Sequence, residues 1–212
     1  MSYAPPDRRA ALDLLWQIDE RMAAIVAAAR EPAIGAMRLV WWRDTLARLD
    51  APDAPVPAEP LLAAVAEHLI PSRLTGEAVA ALEEGWSTLL DAEEPGEAEI
   101  AAHGERRGRL LFALAATLLG GLPDDISRAG EGWALTDLGH RLRGIEARSF
   151  ARARAAAQLA DVDIARWPPS LRPLGLLVVL ARIDAAMPAR RIRRQGAPKR
   201  MFRALAYRLT GR

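Results

Sequence analysis

Glu31-Pro32-Ala33-Ile34-Gly35-Ala36-Met37-Arg38-Leu39-Val40-Trp41-Trp42-Arg43-Asp44-Thr45-Leu46 is the stretch that decides the fold. A proline costs nothing in the first turn of a helix, where its missing N–H would have no partner, so Glu31-Pro32 reads as an entry and a helix is predicted over 34–49. Met37, Leu39, Val40, Trp41, Trp42 and Leu46 cover much of its circumference, with Arg38, Arg43, Asp44 and Arg48 interleaved. The apolar residues do not alternate as a half-buried strand requires, and a helix this apolar belongs among other helices.

The same grammar extends in both directions. Upstream, Asp7 after two prolines is a good N-cap for a helix to about Arg30, with Leu12, Leu15, Trp16, Met22, Ala23 and Val26 on one face and Asp19 in the middle of that stripe. Downstream, four prolines between Asp50 and Pro60 mark a loop. Helices are then predicted over 61–70, 75–91, 97–119, 127–159, 170–186 and 198–210. Pro95-Gly96, the Gly120-Gly121-Pro123 stop and Pro198 as a first helical residue supply the punctuation, and Gly139 and Gly144 offer sites of close helix packing. The sum is an all-α chain of about eight helices without a strand signal or a visible repeat.

Composition bounds the function. The chain has 212 residues, 51% apolar, enough for one core, and no cysteine, which excludes disulfides, thiolate metal sites and cysteine nucleophiles. No leader pattern opens the chain, and the longest nearly uncharged apolar run, residues 110–122, is far short of the roughly 20 residues that span a bilayer. The expectation is a cytoplasmic protein that at most lies on the inner face of the cytoplasmic membrane. The net charge of +2 conceals an asymmetry: Arg190, Arg191, Arg193, Arg194, Lys199, Arg200, Arg203, Arg208 and Arg212 fall in 189–212 with no acid, leaving 20 bases against 27 acids in 1–188.

The Glu31–Leu46 stretch is similar to the EP-x-x-G-x-x-R-L-x-W-W-R-D-x-L segment of the squalene/phytoene synthase family, and resembles most its divergent branch that includes the mitochondrial respiratory complex I assembly factor. Weaker likeness runs through 105–120, Trp133 to Arg143, Arg166-Trp167-Pro168 and the ending Leu209-Thr210-Gly211-Arg212. The resemblance implies an isoprenoid synthase-like helical bundle around a central cavity, placed over 1–188; by its charge and apolar face, 189–212 is read separately as a basic amphipathic segment packed on the same domain. It further implies that Arg38, Trp41, Trp42, Arg43 and Asp44 face a ligand or partner; core packing with internal ion pairs is the competing account.

Working members of that family ionise a prenyl diphosphate with Mg²⁺, and Mg²⁺ needs carboxylate oxygens. Carboxylates on one helix share a metal only three or four residues apart. The only acids four apart here are Glu93 and Glu97, with Pro95-Gly96 between them. The family's aspartate positions in the first helix align with Arg21, Met22 and Ile25, and the later helix offers only Glu146. Asp19 and Asp44 remain as lone catalytic candidates. For Asp19, a residual metal or substrate contact competes with a buried acid paired to Arg38 or Arg43, since an unpaired buried charge is costly. Asp44 with Arg48 and Asp137 with Arg141 have the spacing of surface ion pairs, and His68, His103 and His140 lack metal-ligand spacing and read as surface or helix-end residues.

The leading expectation is therefore a non-catalytic family member, without metal or cofactor, that binds an apolar or isoprenoid ligand or a protein client, with a role in respiratory complex assembly implied by the resemblance. An active Mg²⁺-dependent prenyl transferase is the alternative; it requires Asp19, Asp44, Asp137 and Glu146 to converge in threes or more. The basic segment (Arg190, Arg191, Arg193, Arg194, Lys199, Arg200, Arg203), whose helix carries Met201, Phe202, Leu205 and Leu209 on its other face, suits a packed position on the body, an anionic lipid surface or an acidic partner. Nucleic acid is disfavoured because no recognition motif or interleaved aromatics accompany the charge.

Overall fold

Asp7 in the first turn places a negative charge at the helix's positive end, and the first helix, α1, runs over Pro6–Ala28. A computed structural model describes residues 6–55, 57–90, 94–191 and 198–210, without the side chains of 198–199 and 208–210. Among these residues the regular structure is entirely helical, with no strand. The helix after α1, α2 (Pro32–Arg48), starts where Glu31 is extended ahead of its proline. α3 (Pro60–Ala64) continues through a π turn and a 3₁₀ turn to Ser72. It is capped by the Glu59 carboxylate, which accepts from the Leu62 N–H at 2.8 Å. Two short helices, α4 (Gly76–Ala80) and α5 (Glu83–Ser87), follow, the first capped by Thr75.

The predicted 97–119 helix is one continuous rod, with a π turn over Gly104–Gly108 separating α6 (Glu97–His103) from α7 (Arg109–Leu119). It ends at Gly120, whose φ of +83° is the left-handed conformation that glycine adopts without strain. The Gly121 N–H then returns to the Ala116 carbonyl at 3.0 Å.

The predicted 127–159 helix is two. α8 (Ile126–Arg141) and α9 (Ile145–Ala160) are separated by Leu142 (ψ 141°) and Gly144 (ψ 137°), both extended. No proline announces this break. Its cause is tertiary: folding back lets Leu135 and Leu138 of α8 pack against Ala151 and Ala155 of α9. The Arg148 guanidinium, donating to the Arg143 carbonyl at 2.7 Å, holds the turn. Gly144 thus belongs to the turn, and a Cβ at Gly139 would make only ordinary van der Waals contact with Ala151 and Arg152. The close approach lies elsewhere in α8, where a Cβ at Gly130 would overlap the Gly108 carbonyl.

α10 (Arg172–Ala185) enters through a 3₁₀ turn over Pro169–Leu171, and α11 (Pro198–Thr210) begins at its predicted proline. The main core gathers Leu12, Leu15, Ile18 and Met22 of α1, Leu39, Trp42 and Leu46 of α2, and Leu111, Phe112 and Leu119 of α7. No helix is long and apolar enough to cross a membrane among the described residues.

Candidate functional site

Asp19 is 1% exposed, so its charge has to be matched inside the protein. The match comes from the π turn. Arg107, equally buried, donates from Nε to Asp19 Oδ1 at 2.8 Å and from Nη2 to Oδ2 at 2.7 Å, a fork that fits a carboxylate. The Trp86 indole N–H of α5 donates to the same Oδ1 at 2.8 Å. Nη1 of Arg107 reaches Asp137 of α8 at 3.1 Å, and Asp137 also meets Arg141 one turn on at 3.3 Å. The guanidinium carbon lies 4.4 Å from the centre of the Trp86 ring and 4.9 Å from that of Trp133, so flat cation meets aromatic face. Asp19 is thus paired, but with Arg107 rather than Arg38 or Arg43. The Asp137–Arg141 pair forms as its spacing predicts, with Arg141 exposed, and Asp137 also joins the buried network through Arg107.

His103 completes it; it stands at the end of α6, one of the two positions expected, but is fully buried. Its Nδ1 lies 2.7 Å from the Gly85 carbonyl, an acceptor, so Nδ1 carries the proton and donates. Nε2 then faces Arg107 Nη1 at 3.4 Å as an acceptor. Burial first, and the Arg107 charge second, push the imidazole down to about 3, so it stays neutral. Burial works against the charge of Arg107 too, but Asp19 and Asp137 outweigh it and hold the guanidinium above its ordinary range. Asp137 is raised by burial and lowered more by Arg107 and Arg141, ending below the usual carboxylate value.

Glycines make this geometry possible. A Cβ at Gly85 would come within 2.5 Å of the Arg107 backbone nitrogen, and one at Gly104 within 2.6 Å of Leu135. With Gly108 and Gly130, they let the π turn lie flush between α5 and α8, which aims Arg107 at three helices at once. An extra residue in a helical turn rotates side chains out of the regular register, a device found often at functional sites.

The carboxylates of the transferase alternative do not gather. Asp19 and Asp137 meet only through Arg107, Asp44 is exposed and held by Arg43 at 2.9 Å, and Glu146 is exposed on α9. Both Asp19 oxygens are already occupied by donors, so this donor set does not fit Mg²⁺. Among the described residues no three His, Asp or Glu side chains are placed to hold a metal ion. Glu93 lies outside the described residues.

The residues singled out in the Glu31–Leu46 stretch divide between inside and outside. Trp42 is buried under Arg21, whose guanidinium lies 5.4 Å from its ring. Arg43 is partly exposed; its pKa is raised, first by the hydrogen bond to Asp44. It also lies 3.9 Å from the buried Glu83, whose carboxyl is raised by that burial. Arg38 and Asp44 are exposed, and so are Ile34, Met37, Val40 and Trp41, which form an apolar strip on the outer side of α2.

Beside the buried network a cleft of about 660 Å³ opens to the surface. Its apolar walls include Val26 of α1, Trp86 of α5, and Leu90, Leu138 and Leu142, and Arg30, Arg141 and Arg143 stand around it with Glu94. Trp86 is shared: one side of it serves Asp19 and Arg107, and it also lines the cleft. Arg107, His103 and the cleft were missed by sequence reasoning. The available signal was His103 and Arg107 one turn apart, each followed by glycine, just ahead of the uncharged apolar run that starts at Leu110: two polar groups leading into a face that must be buried.

In the basic segment, Arg200 pairs with the buried Asp184 of α10, and Asp184 is raised by burial but lowered more by its bonds to His140 and Arg200. Tyr207 is buried against Gly175. Arg190, Arg191 and Arg203 are exposed. Arg193, Arg194 and the side chain of Lys199 lie outside the described residues. His140 is mostly buried beside Asp184, at 3.5 Å, while His68 is exposed as expected.

Comparison of the chain with protein-family models, curated proteins and solved structures found no match.

Proposed function

We propose that the protein is a non-catalytic binding protein: a squalene/phytoene synthase-like helical bundle that has lost both aspartate motifs and holds an apolar, isoprenoid-sized ligand with an anionic head in the cleft beside Trp86. The observation that carries this is the buried Asp19–Arg107–Asp137 centre. Diphosphate ionisation needs carboxylates with free oxygens to collect cations. Here the acid of α1 that faces the interior is already neutralised by a guanidinium, and breaking that pairing would strand a buried charge. What remains beside it is an apolar cleft with three arginines and one glutamate around it, an arrangement that favours a hydrocarbon tail and a negative head group without supplying the means to cleave it.

Isothermal titration with farnesyl diphosphate tests this. Wild-type protein should bind one ligand, and Arg30→Glu with Arg143→Glu, two exposed reversals, should weaken binding about tenfold or more. Equal affinity for the double variant, or no binding to the wild type, would remove the ligand assignment.

A second reading is favoured by the strip of Ile34, Met37, Val40 and Trp41, which leaves several large apolar groups in water on one helix. It seats a protein client on α2, and the resemblance to the assembly-factor branch points to a respiratory complex subunit. Met37→Ser with Trp41→Ser should then abolish a stable complex with that subunit while leaving farnesyl diphosphate binding intact; retention of the complex would count against it.

A further inference from the structure

α11 is mounted with its apolar side outward. Arg200 and Tyr207, two turns apart on one edge, attach it to α10: Arg200 to Asp184, and Tyr207 into the space left by Gly175. The opposite edge carries Met201, Phe202 and Leu205, which are 63%, 72% and 50% exposed. An amphipathic helix that serves only its own fold turns this face inward. Here the fold uses the polar edge, and the apolar edge is left in water.

The chain leaving α10, residues 187–191, is also held by the body. Arg152 of α9 donates to the carbonyls of Met187 at 3.0 Å and Arg191 at 3.2 Å, and Arg148 donates to the carbonyl of Ala189 at 3.3 Å. These guanidiniums spend their hydrogen bonds on backbone oxygens, so the side chains of Arg190 and Arg191 stay exposed, as does Arg203 on α11 itself.

We infer that α11 is a docking helix for an anionic phospholipid surface, with Phe202, Met201 and Leu205 entering the interface and Arg190, Arg191 and Arg203 meeting the head groups. The charge pattern selects this occupant. Residues 189–212 contain nine basic residues and no acidic one, so a second copy brought face to face would set like charges against each other. A lipid surface with anionic head groups offers the opposite sign together with a medium for the three apolar side chains. Among the described residues no helix is long and apolar enough to cross a bilayer, and the contact inferred is with the lipid surface.

Flotation of the full chain with phosphatidylcholine vesicles, with and without phosphatidylglycerol, tests the inference. Binding should require phosphatidylglycerol and fall steeply with added salt. Phe202→Glu with Leu205→Glu should lower partition at least about tenfold, since each buried apolar side chain contributes on that order. Arg190→Gln with Arg191→Gln and Arg203→Gln should lower it on anionic vesicles by a comparable factor. All five positions are exposed, so thermal melting should be unchanged, which separates lost docking from lost folding. Equal partition onto neutral vesicles, unchanged partition of either variant, or concentration-dependent self-association that both variants abolish without any vesicle binding would overturn it. None of these outcomes depends on the cleft holding a ligand.

Discussion

The buried centre around Arg107 and the outer strip of α2 treat the same residue types in opposite ways. Inside, two tryptophans, two aspartates and an arginine leave hardly an atom unpartnered: Trp86 stacks and donates, Asp19 accepts three bonds, and Arg107 binds two acids. On α2, Trp41, Arg38, Met37 and Asp44 stand in solvent, held by little beyond the Arg43–Asp44 contact and the edge-on meeting of Trp41 with Trp42. The difference teaches that a distinctive motif and a structural keystone need not coincide. Polar groups out of water must be matched in full, whereas a surface strip is free to serve a partner or nothing at all.

The largest effect expected from breaking this contrast comes from Arg107→Met. It leaves Asp19 buried without its cation and Asp137 with Arg141 alone, and should cost about 3–5 kcal/mol, enough to unfold a marginal protein, as read from urea denaturation. Arg107→Lys should recover only part of the loss, because an ammonium cannot fork onto Asp19 or lie flat on Trp86.

Next comes pH. Unfolded histidine binds its proton near 6.5, while buried His103 does so only near 3. Between those values the unfolded chain holds a proton that the native protein lacks, so stability falls as pH falls, by up to about 1.4 kcal/mol per unit. Asp137, held below its unfolded value, adds a loss of the same sign once pH drops below the ordinary carboxylate range. Denaturation midpoints measured between pH 7 and pH 4 should therefore decline, and His103→Gln should flatten the upper part of that decline. A profile level across this range would mean that His103 titrates freely.

Smaller again is Gly130→Ala, where a methyl meets the Gly108 carbonyl and the π turn has to shift. Overpacking of this kind costs about 1–3 kcal/mol, which a thermal melt resolves. At the bottom stands Trp41→Ala on the outer strip, expected to change stability by no more than about 0.5 kcal/mol. A large loss there would mean that the strip is part of the core after all.

Helix ends were legible in the sequence because their chemistry is local. Pro32, Thr75, Gly120 and Pro198 each stop or start a helix through their own backbone or side chain, and each stands where expected, while Pro60, read as loop, is the first residue of α3. The turn at Leu142–Gly144 was not, since it exists to let α9 pack back on α8, and no residue in it forbids a helix. The site was half legible. An aspartate in an apolar stripe announced a buried charge, but its partner comes from 88 positions further on, through a π turn and glycines whose role depends on what α5 and α8 bring beside them. Periodicity cannot report a contact made by three other helices.

Asp19 and Asp137 are both spoken for by Arg107, so neither is free to gather divalent cations. Incubating the protein with farnesyl or geranylgeranyl diphosphate and Mg²⁺, and following diphosphate release, tests this most directly. The prediction is a bound but intact substrate, with release no faster than in buffer; sustained release with a condensed hydrocarbon product would contradict it.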